Sequence, residues 1–167
     1  MSTFSRRQVA WALVSGATIA RAFALDTNEL FPHFVAKTMD GERITSESVK
    51  GKVVLIDFWA TWCPPCKKDQ PIVESLLSEF AKDGLMVLAV NMGEPRRKVK
   101  KYLETSPRAS KIVLAEDTTL AAICDANVYP IYNLIDREGR LAGVQRGAGG
   151  ERALRRLLEK AGLESSG

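Results

Sequence analysis

Histidine is nearly absent from this chain and cysteine is scarce: one histidine, His33, and three cysteines, Cys63, Cys66 and Cys124, among 167 residues. That excludes a centre built from clustered imidazoles, and equally a small domain held by a dense disulfide framework. Proline and glycine are too few for a collagen-like or low-complexity chain. A large excess of one charge is missing as well. The formal net charge is +4, but Arg6, Arg7 and Arg21 are the only charged residues before Asp26, so the rest is close to neutral. No electrostatic case for nucleic acid remains. The one basic cluster, Arg96, Arg97, Lys98, Lys100 and Lys101, reads as the solvated face of a helix rather than a partner patch. The apolar stretch from Val9 to Ala20 is well short of the roughly 20 residues that span a bilayer as a helix.

What is present begins with an export pattern. Ser5-Arg6-Arg7 precedes that apolar stretch, and Arg21 then leads into Ala22-Phe23-Ala24, with small residues where a signal peptidase inspects the chain. The paired arginines give residues 1–24 the form of a twin-arginine-type signal peptide, with cleavage expected near Leu25 and residues 25–167 as one domain. Membrane association is expected only if this segment stays uncleaved. No cysteine precedes Cys63, so lipidation at a signal-peptide cysteine is not available. A periplasmic location follows, where a thiol pair can be oxidised, reduced and reused.

Residues 25–167 hold enough apolar sequence for a single substantial core. Phe34 to Thr38 and Arg43 to Thr45 flank Asp40-Gly41, which predicts a small hairpin. Val53 to Trp59 is a continuous apolar run of strand length, as expected for a central strand covered on both faces, with Asp57 as its anomaly. Ile72, Val73, Leu76, Leu77 and Phe80 recur at helical spacing until Gly84, predicting an amphipathic helix from Pro65 that Pro71 should kink. Leu85 to Val90 reads as a strand, Glu94 to Glu104 as a polar helix, Lys111 to Leu114 as a short strand, and Thr118 to Cys124 as a helical turn or two. Ile131 to Ile135 and Leu141 to Gln145 are strands around a second turn, and Leu154, Leu157, Leu158 and Ala161 stripe a closing helix. The order implies an α/β fold: a mixed sheet with helices on both faces.

Cys63 and Cys66 begin the long helix, and their spacing places both sulfurs within bonding range on its first turn. Free N–H groups and the positive end of the helix favour a thiolate at Cys63, the expected attacking sulfur. Pro64 and Pro65 lack N–H groups where none is needed and stiffen the turn. Cys66, one turn in, should be more buried and act second. Half a zinc site is the rival reading, but the only further ligands, Cys124 and His33, are not at ligand-like spacing. A purely structural bridge is another, although so short a loop removes little unfolded-state entropy. Cys124 reads as an inert buried thiol and His33 as a surface or hairpin residue.

Phe58-Trp59-Ala60-Thr61-Trp62-Cys63-Pro64-Pro65-Cys66-Lys67-Lys68 resembles the active-site segment of thioredoxin-fold proteins, above all the exported TlpA/ResA/CcmG-like thiol-disulfide reductases. The likeness runs from about Phe31 to Leu163 and includes Phe31-Pro32-His33-Phe34, Lys50-Gly51-Lys52 and Val128-Tyr129-Pro130 through Asp136. It implies a thioredoxin fold with an N-terminal β-hairpin extension and a periplasmic thiol-disulfide oxidoreductase, most plainly a reductase of protein disulfides. No cofactor is implied. The partners implied are protein thiol or disulfide substrates and a membrane thiol-electron donor. By the same resemblance Pro130 is a cis-proline beside the site, leaving the Tyr129 backbone free to pair with an extended substrate, and Trp59 and Trp62 are the flanking aromatic pair. Asp57 matches the buried acid that assists the second cysteine, and Asp69 matches an acidic position with a comparable role in the ResA-like branch. Two departures stand out: Ile131 follows Pro130 where the family commonly has threonine, and Leu88-Ala89-Val90 has no lysine to pair with Asp57, so the thioredoxin proton relay does not carry over as it stands. Alternatives of other kinds are a thiol peroxidase, a thiol oxidant and a Cu(I) metallochaperone using both cysteines.

Overall fold

The computed structural model describes residues 25–164; the export segment read at residues 1–24 lies outside them. Seven strands form one mixed sheet in the order β2-β1-β5-β4-β3-β6-β7. They are β1 (Val35–Thr38), β2 (Arg43–Thr45), β3 (Val53–Trp59), β4 (Leu85–Asn91), β5 (Lys111–Thr118), β6 (Ile131–Ile135) and β7 (Leu141–Arg146), with helices α1 (Pro64–Phe80), α2 (Arg96–Thr105), α3 (Leu120–Ile123) and α4 (Gly150–Glu159). β3, β4 and β5 run parallel, and β6 and β7 continue antiparallel from β3. The sheet, the covering helices and the N-terminal hairpin are those the sequence implies.

Every residue of β3 is buried because the strand lies at the centre of the sheet with both faces covered. Val53 and Leu55 pack with Val73, Leu76 and Phe80 of α1 and Leu154, Leu157 and Leu158 of α4. Val54, Ile56 and Phe58 face the opposite way, against Leu120 of α3 and Phe34, Ile44 and Val49 around the hairpin. The second face is therefore covered mainly by the hairpin region, since α3 is only four residues long. By the two-residue period of the strand, Asp57 points to the α1 side.

Several elements differ from their sequence boundaries by a residue or two, and β5 by more. β5 continues four residues past Leu114, because β1 pairs with it antiparallel (Ala36 with Thr118, Thr38 with Val113) and the Thr118 hydroxyl donates to the Val35 carbonyl at 2.9 Å. Its second half is polar and only partly buried, so no apolar run announces it. The second helix starts at Arg96 rather than Glu94, whose side chain is engaged elsewhere. In the β1–β2 turn Gly41 has φ of +96°, a left-handed conformation that suits glycine.

Candidate active site

β3 delivers the chain to Cys63, the N-cap of α1, with extended backbone (φ −93°, ψ 102°) and prolines at the first helical positions. Cys63 and Cys66 are joined by a disulfide with their Cα atoms 5.3 Å apart. The Cys66 N–H donates to Cys63 Sγ at 3.2 Å. A thiolate on Cys63 would thus meet an otherwise unpaired amide and the positive end of a 17-residue helix. The expected difference in burial is not found: Cys63 is 3% exposed and Cys66 2%. With the bridge closed both sulfurs lie under the first turn, so the cap position of Cys63 distinguishes the two, not exposure.

Around the disulfide the chain turns apolar groups outward. Trp62 is 60% exposed and meets Tyr129 edge-on, with ring centroids 6.0 Å apart. This contact joins the head of α1 to the entry of β6, where the Tyr129–Pro130 peptide is cis. Pro64 and Pro65 are exposed, Tyr129 is half-buried and Pro130 is buried. Trp59 does not share this rim. Its ring is buried in the core against Tyr102, centroids 5.6 Å apart.

Beneath the cysteines lies a buried polar cluster that the sequence shows only in part. Asp57 and Asp69 are both buried, and the Tyr132 hydroxyl, from the neighbouring position on β6, donates to Asp69 Oδ2 at 3.2 Å. Leu88-Ala89-Val90 supplies no lysine for Asp57, but the acid has a charge partner from another segment. Arg108, in the connection between α2 and β5, reaches Asp57 Oδ2 through Nη1 at 2.7 Å, and its side chain is only 1% exposed. Its guanidinium lies over the Trp59 ring, 4.2 Å from the centroid. Burial pushes the Asp57 carboxyl up, and Arg108 opposes that rise. Burial beside Asp57 and Asp69 also keeps the Tyr132 phenol protonated, hence a donor. No spacing rule points to Arg108, since the cation comes from a loop remote in sequence.

A second network holds the loop before Cys63. Glu94, just past the end of β4, accepts from the Thr61 N–H at 2.7 Å, the Thr61 hydroxyl at 2.6 Å, Asn91 Nδ2 at 2.8 Å and Lys98 Nζ at 2.8 Å. Its place at the C-terminal end of a parallel strand, where α/β sheets gather their sites, was the usable signal. Burial alone would raise the Glu94 carboxyl; Lys98, Thr61 and Asn91 outweigh it and hold it at about 2. Being lowered, this group contributes stability that is complete above its unfolded value and lost as pH falls toward the folded one. Glu94→Gln is therefore expected to flatten the acid limb of stability below about pH 4.5 by about 3 kcal/mol, read from urea midpoints at stepped pH. An unchanged acid limb would refute it.

Cys124 is a free, buried thiol, pushed up to about 12 by its burial. Iodoacetamide should label it only after unfolding; labelling in the native state would contradict this. His33 is exposed and lies 3.2 Å from Glu47. Among the described residues no group of three or more His, Cys, Asp or Glu is placed to hold a metal ion.

Comparison with known proteins agrees with this geometry. The AhpC/TSA family model matches residues 27–144. The thiol-disulfide oxidoreductase ResA of Bacillus subtilis (strain 168) is 34% identical over 116 residues, which cover 70% of this chain and 65% of that protein. ResA of Geobacillus thermodenitrificans (strain NG80-2) is 30% identical over 128 residues, 77% of this chain and 74% of that one. A solved thiol:disulfide interchange protein of the thioredoxin family from Chlorobium tepidum TLS superposes with a TM-score of 0.68 at 26% identity, covering 79% of this chain and 94% of its own. The matched residues span most of the described domain, and the chain belongs to the AhpC/TSA family, among thiol-disulfide oxidoreductases of the ResA type.

Proposed function

We infer that this chain is an exported reductase of protein disulfides, working in the periplasm after removal of a twin-arginine-type signal at residues 1–24, with residues 25–167 as the working domain. The observation that carries the reading is the Cys63–Cys66 bridge at the N-cap of α1, beside the exposed Trp62–Tyr129 edge. Cys63 is the nucleophile: its thiolate attacks a substrate disulfide and one substrate sulfur leaves. Cys66 then attacks Cys63 Sγ, closing the bridge and releasing the second substrate sulfur as a thiol. Asp57 and Asp69 are the acids available to the Cys66 proton. Trp62, Pro64, Pro65, Tyr129 and Pro130 form the surface on which an extended substrate segment lies. A membrane thiol-electron donor returns two electrons to the pair.

The reduction potential of the Cys63/Cys66 couple tests the direction of flow. A reductase should equilibrate near the thioredoxin value of about −270 mV, whereas a dedicated oxidant lies near about −120 mV. A value at the oxidising end would overturn the reading. The AhpC/TSA match favours one second reading, a thiol peroxidase of the same fold. It requires rapid consumption of hydrogen peroxide by the reduced protein, and with the present reading the rate should not exceed that of a free thiol.

A further inference from the structure

The five cations of α2 are exposed, as those of a solvated helix face would be, but the face they form is not remote from the redox centre. Val99, the one buried residue of α2, packs in the same cluster as Cys63, Cys66 and Trp59. Tyr102, one turn on, meets the Trp59 ring, and the Lys67 ammonium, from the residue after Cys66, lies 5.7 Å from the Tyr102 ring centroid. A groove of about 340 Å³ runs from Thr61, two residues before Cys63, past Lys98, Lys101, Tyr102 and Thr105, with Glu104 as the one acid on its wall. A second groove of about 410 Å³, formed by Pro95, Arg97, Lys98 and Lys101, shares two lysines with it.

Two of the five cations are neutralised within the fold: Arg96 is paired with Asp117 at 3.5 Å, and Lys98 with Glu94 at 2.8 Å. Arg97, Lys100 and Lys101 have no anionic partner among the described residues, and Lys67 has only the Tyr102 ring. This arrangement works against the helix. Arg97 stands three residues from Lys100 and four from Lys101, spacings at which like charges on a helix repel. The first turn contains no acid, so its cations also face the positive end of the helix dipole. A face that only has to meet water is better served by mixed signs. Residues 25–167 are together almost neutral, so the excess is local and gathered beside the disulfide.

We propose that Arg97, Lys100 and Lys101, with Lys67, dock an acidic segment of the protein substrate, so that the enzyme selects cysteines flanked within a few residues by aspartate or glutamate. The proposal rests on the disulfide-exchange reading above and adds a substrate class to it. The apolar Trp62–Tyr129 edge holds the segment at its cysteine, and the basic face attracts and orients the acidic flank. The effect is one of association: opposite charge raises the rate of productive encounter and is screened by salt. The groove starts at Thr61, within reach of a chain engaged at Cys63, which favours a peptide over an anionic lipid surface.

The test uses the reduced full chain and three synthetic peptides of equal length, each with a single cysteine held as a 2-thiopyridyl disulfide. One is uncharged around the cysteine, one has three glutamates before it, and one has three after it. The Cys63 thiolate attacks the peptide sulfur: the Cys63–peptide bond forms, the peptide–thiopyridyl bond breaks, and pyridine-2-thione leaves with the electron pair. Cys66 then closes the bridge and frees the peptide thiol. The second-order rate of thione release should be at least about tenfold higher for one acidic peptide than for the neutral one at about 20 mM salt, and that ratio should fall below about threefold at about 500 mM. Arg97→Gln/Lys100→Gln/Lys101→Gln should bring the low-salt ratio to about twofold or less. Lys50→Gln/Lys52→Gln/Lys82→Gln removes the same charge at exposed positions by the other ends of β3 and α1 and should keep the ratio. Equal rates for acidic and neutral peptides with wild type, or an equal drop in the ratio for both triple variants, overturns the proposal. The salt series needs no variant, so it decides even where the α2 variant fails to fold. Sedimentation with equimolar phosphatidylglycerol and phosphatidylcholine vesicles, abolished in the α2 variant and without peptide preference in wild type, would assign the face to lipid and also overturn it. Failure of the underlying reading is distinct, because wild type would then release thione but no free peptide.

Discussion

Cys66→Ala is expected to turn the catalyst into a trap. Cys63 keeps its N-cap position, the dipole end of α1 and an amide at hydrogen-bond distance, none of which depends on the Cys66 side chain. The first exchange therefore still proceeds, and the mixed disulfide accumulates because no second thiol lies within reach. Cys124 cannot take over. It is buried, its thiol is held protonated to about 12, and it packs in the core cluster on the face of the sheet away from α1 and α4. Multiple-turnover reduction should drop by about a thousandfold or more, with substrate recovered covalently bound on non-reducing gels. Cys63→Ala should lose turnover equally but trap nothing, since Cys66 lies a turn into the helix and lacks the cap. Equal trapping by both variants would reverse the order of attack. Absence of trapping by Cys66→Ala would remove the disulfide-exchange mechanism.

What the sequence reveals of this site follows the range of its interactions. The Cys63–Cys66 spacing, the prolines between them and the helical periodicity after them are local patterns, and they place the pair at the head of α1 without tertiary information. The unbroken apolar run of β3 announces a central strand for the same reason. Asp57 is legible as an anomaly in that run, but its charge partner is not. Arg108 lies 51 residues away in a polar connection, and only the sheet order, with Gln70 and Glu74 of α1 hydrogen-bonded to the backbone on either side of it, brings it over the Trp59 ring. Glu94 misleads in the opposite way. Its residue type and neighbours suit the start of a polar helix, yet tertiary hydrogen bonds to Thr61 and Asn91 draw it into the site. Half of β5 escapes because a strand paired with an edge hairpin needs no apolar alternation. Equal burial of Cys63 and Cys66 escapes because helix position sets where a sulfur starts, whereas the bridge decides where it ends.

Arg108→Ala should be among the most damaging single substitutions in the domain for stability. It leaves Asp57 buried with no cation, and breaking a buried ion pair from one side costs about 3–5 kcal/mol. For a domain of this size that corresponds to a drop in Tm of about 10–20 °C. The Trp59 ring also loses the guanidinium that covers one face. The pH dependence identifies the cause. The folded-state pKa of Asp57 is already raised by burial, so its contribution to stability is complete below the unfolded value and declines as pH rises through the folded one. Removing Arg108 raises the folded value further, so the decline continues to higher pH. The gap between wild type and Arg108→Ala should therefore be smallest near about pH 4 and widen toward about pH 8. Urea midpoints of the oxidised proteins measure it directly. Asp57→Asn/Arg108→Met should recover most of the loss, because neutral groups of similar volume replace a buried pair at little net cost. A gap below about 1 kcal/mol, the usual limit for an exposed pair, or one that does not vary with pH, would mean that Arg108 is not holding a buried carboxylate.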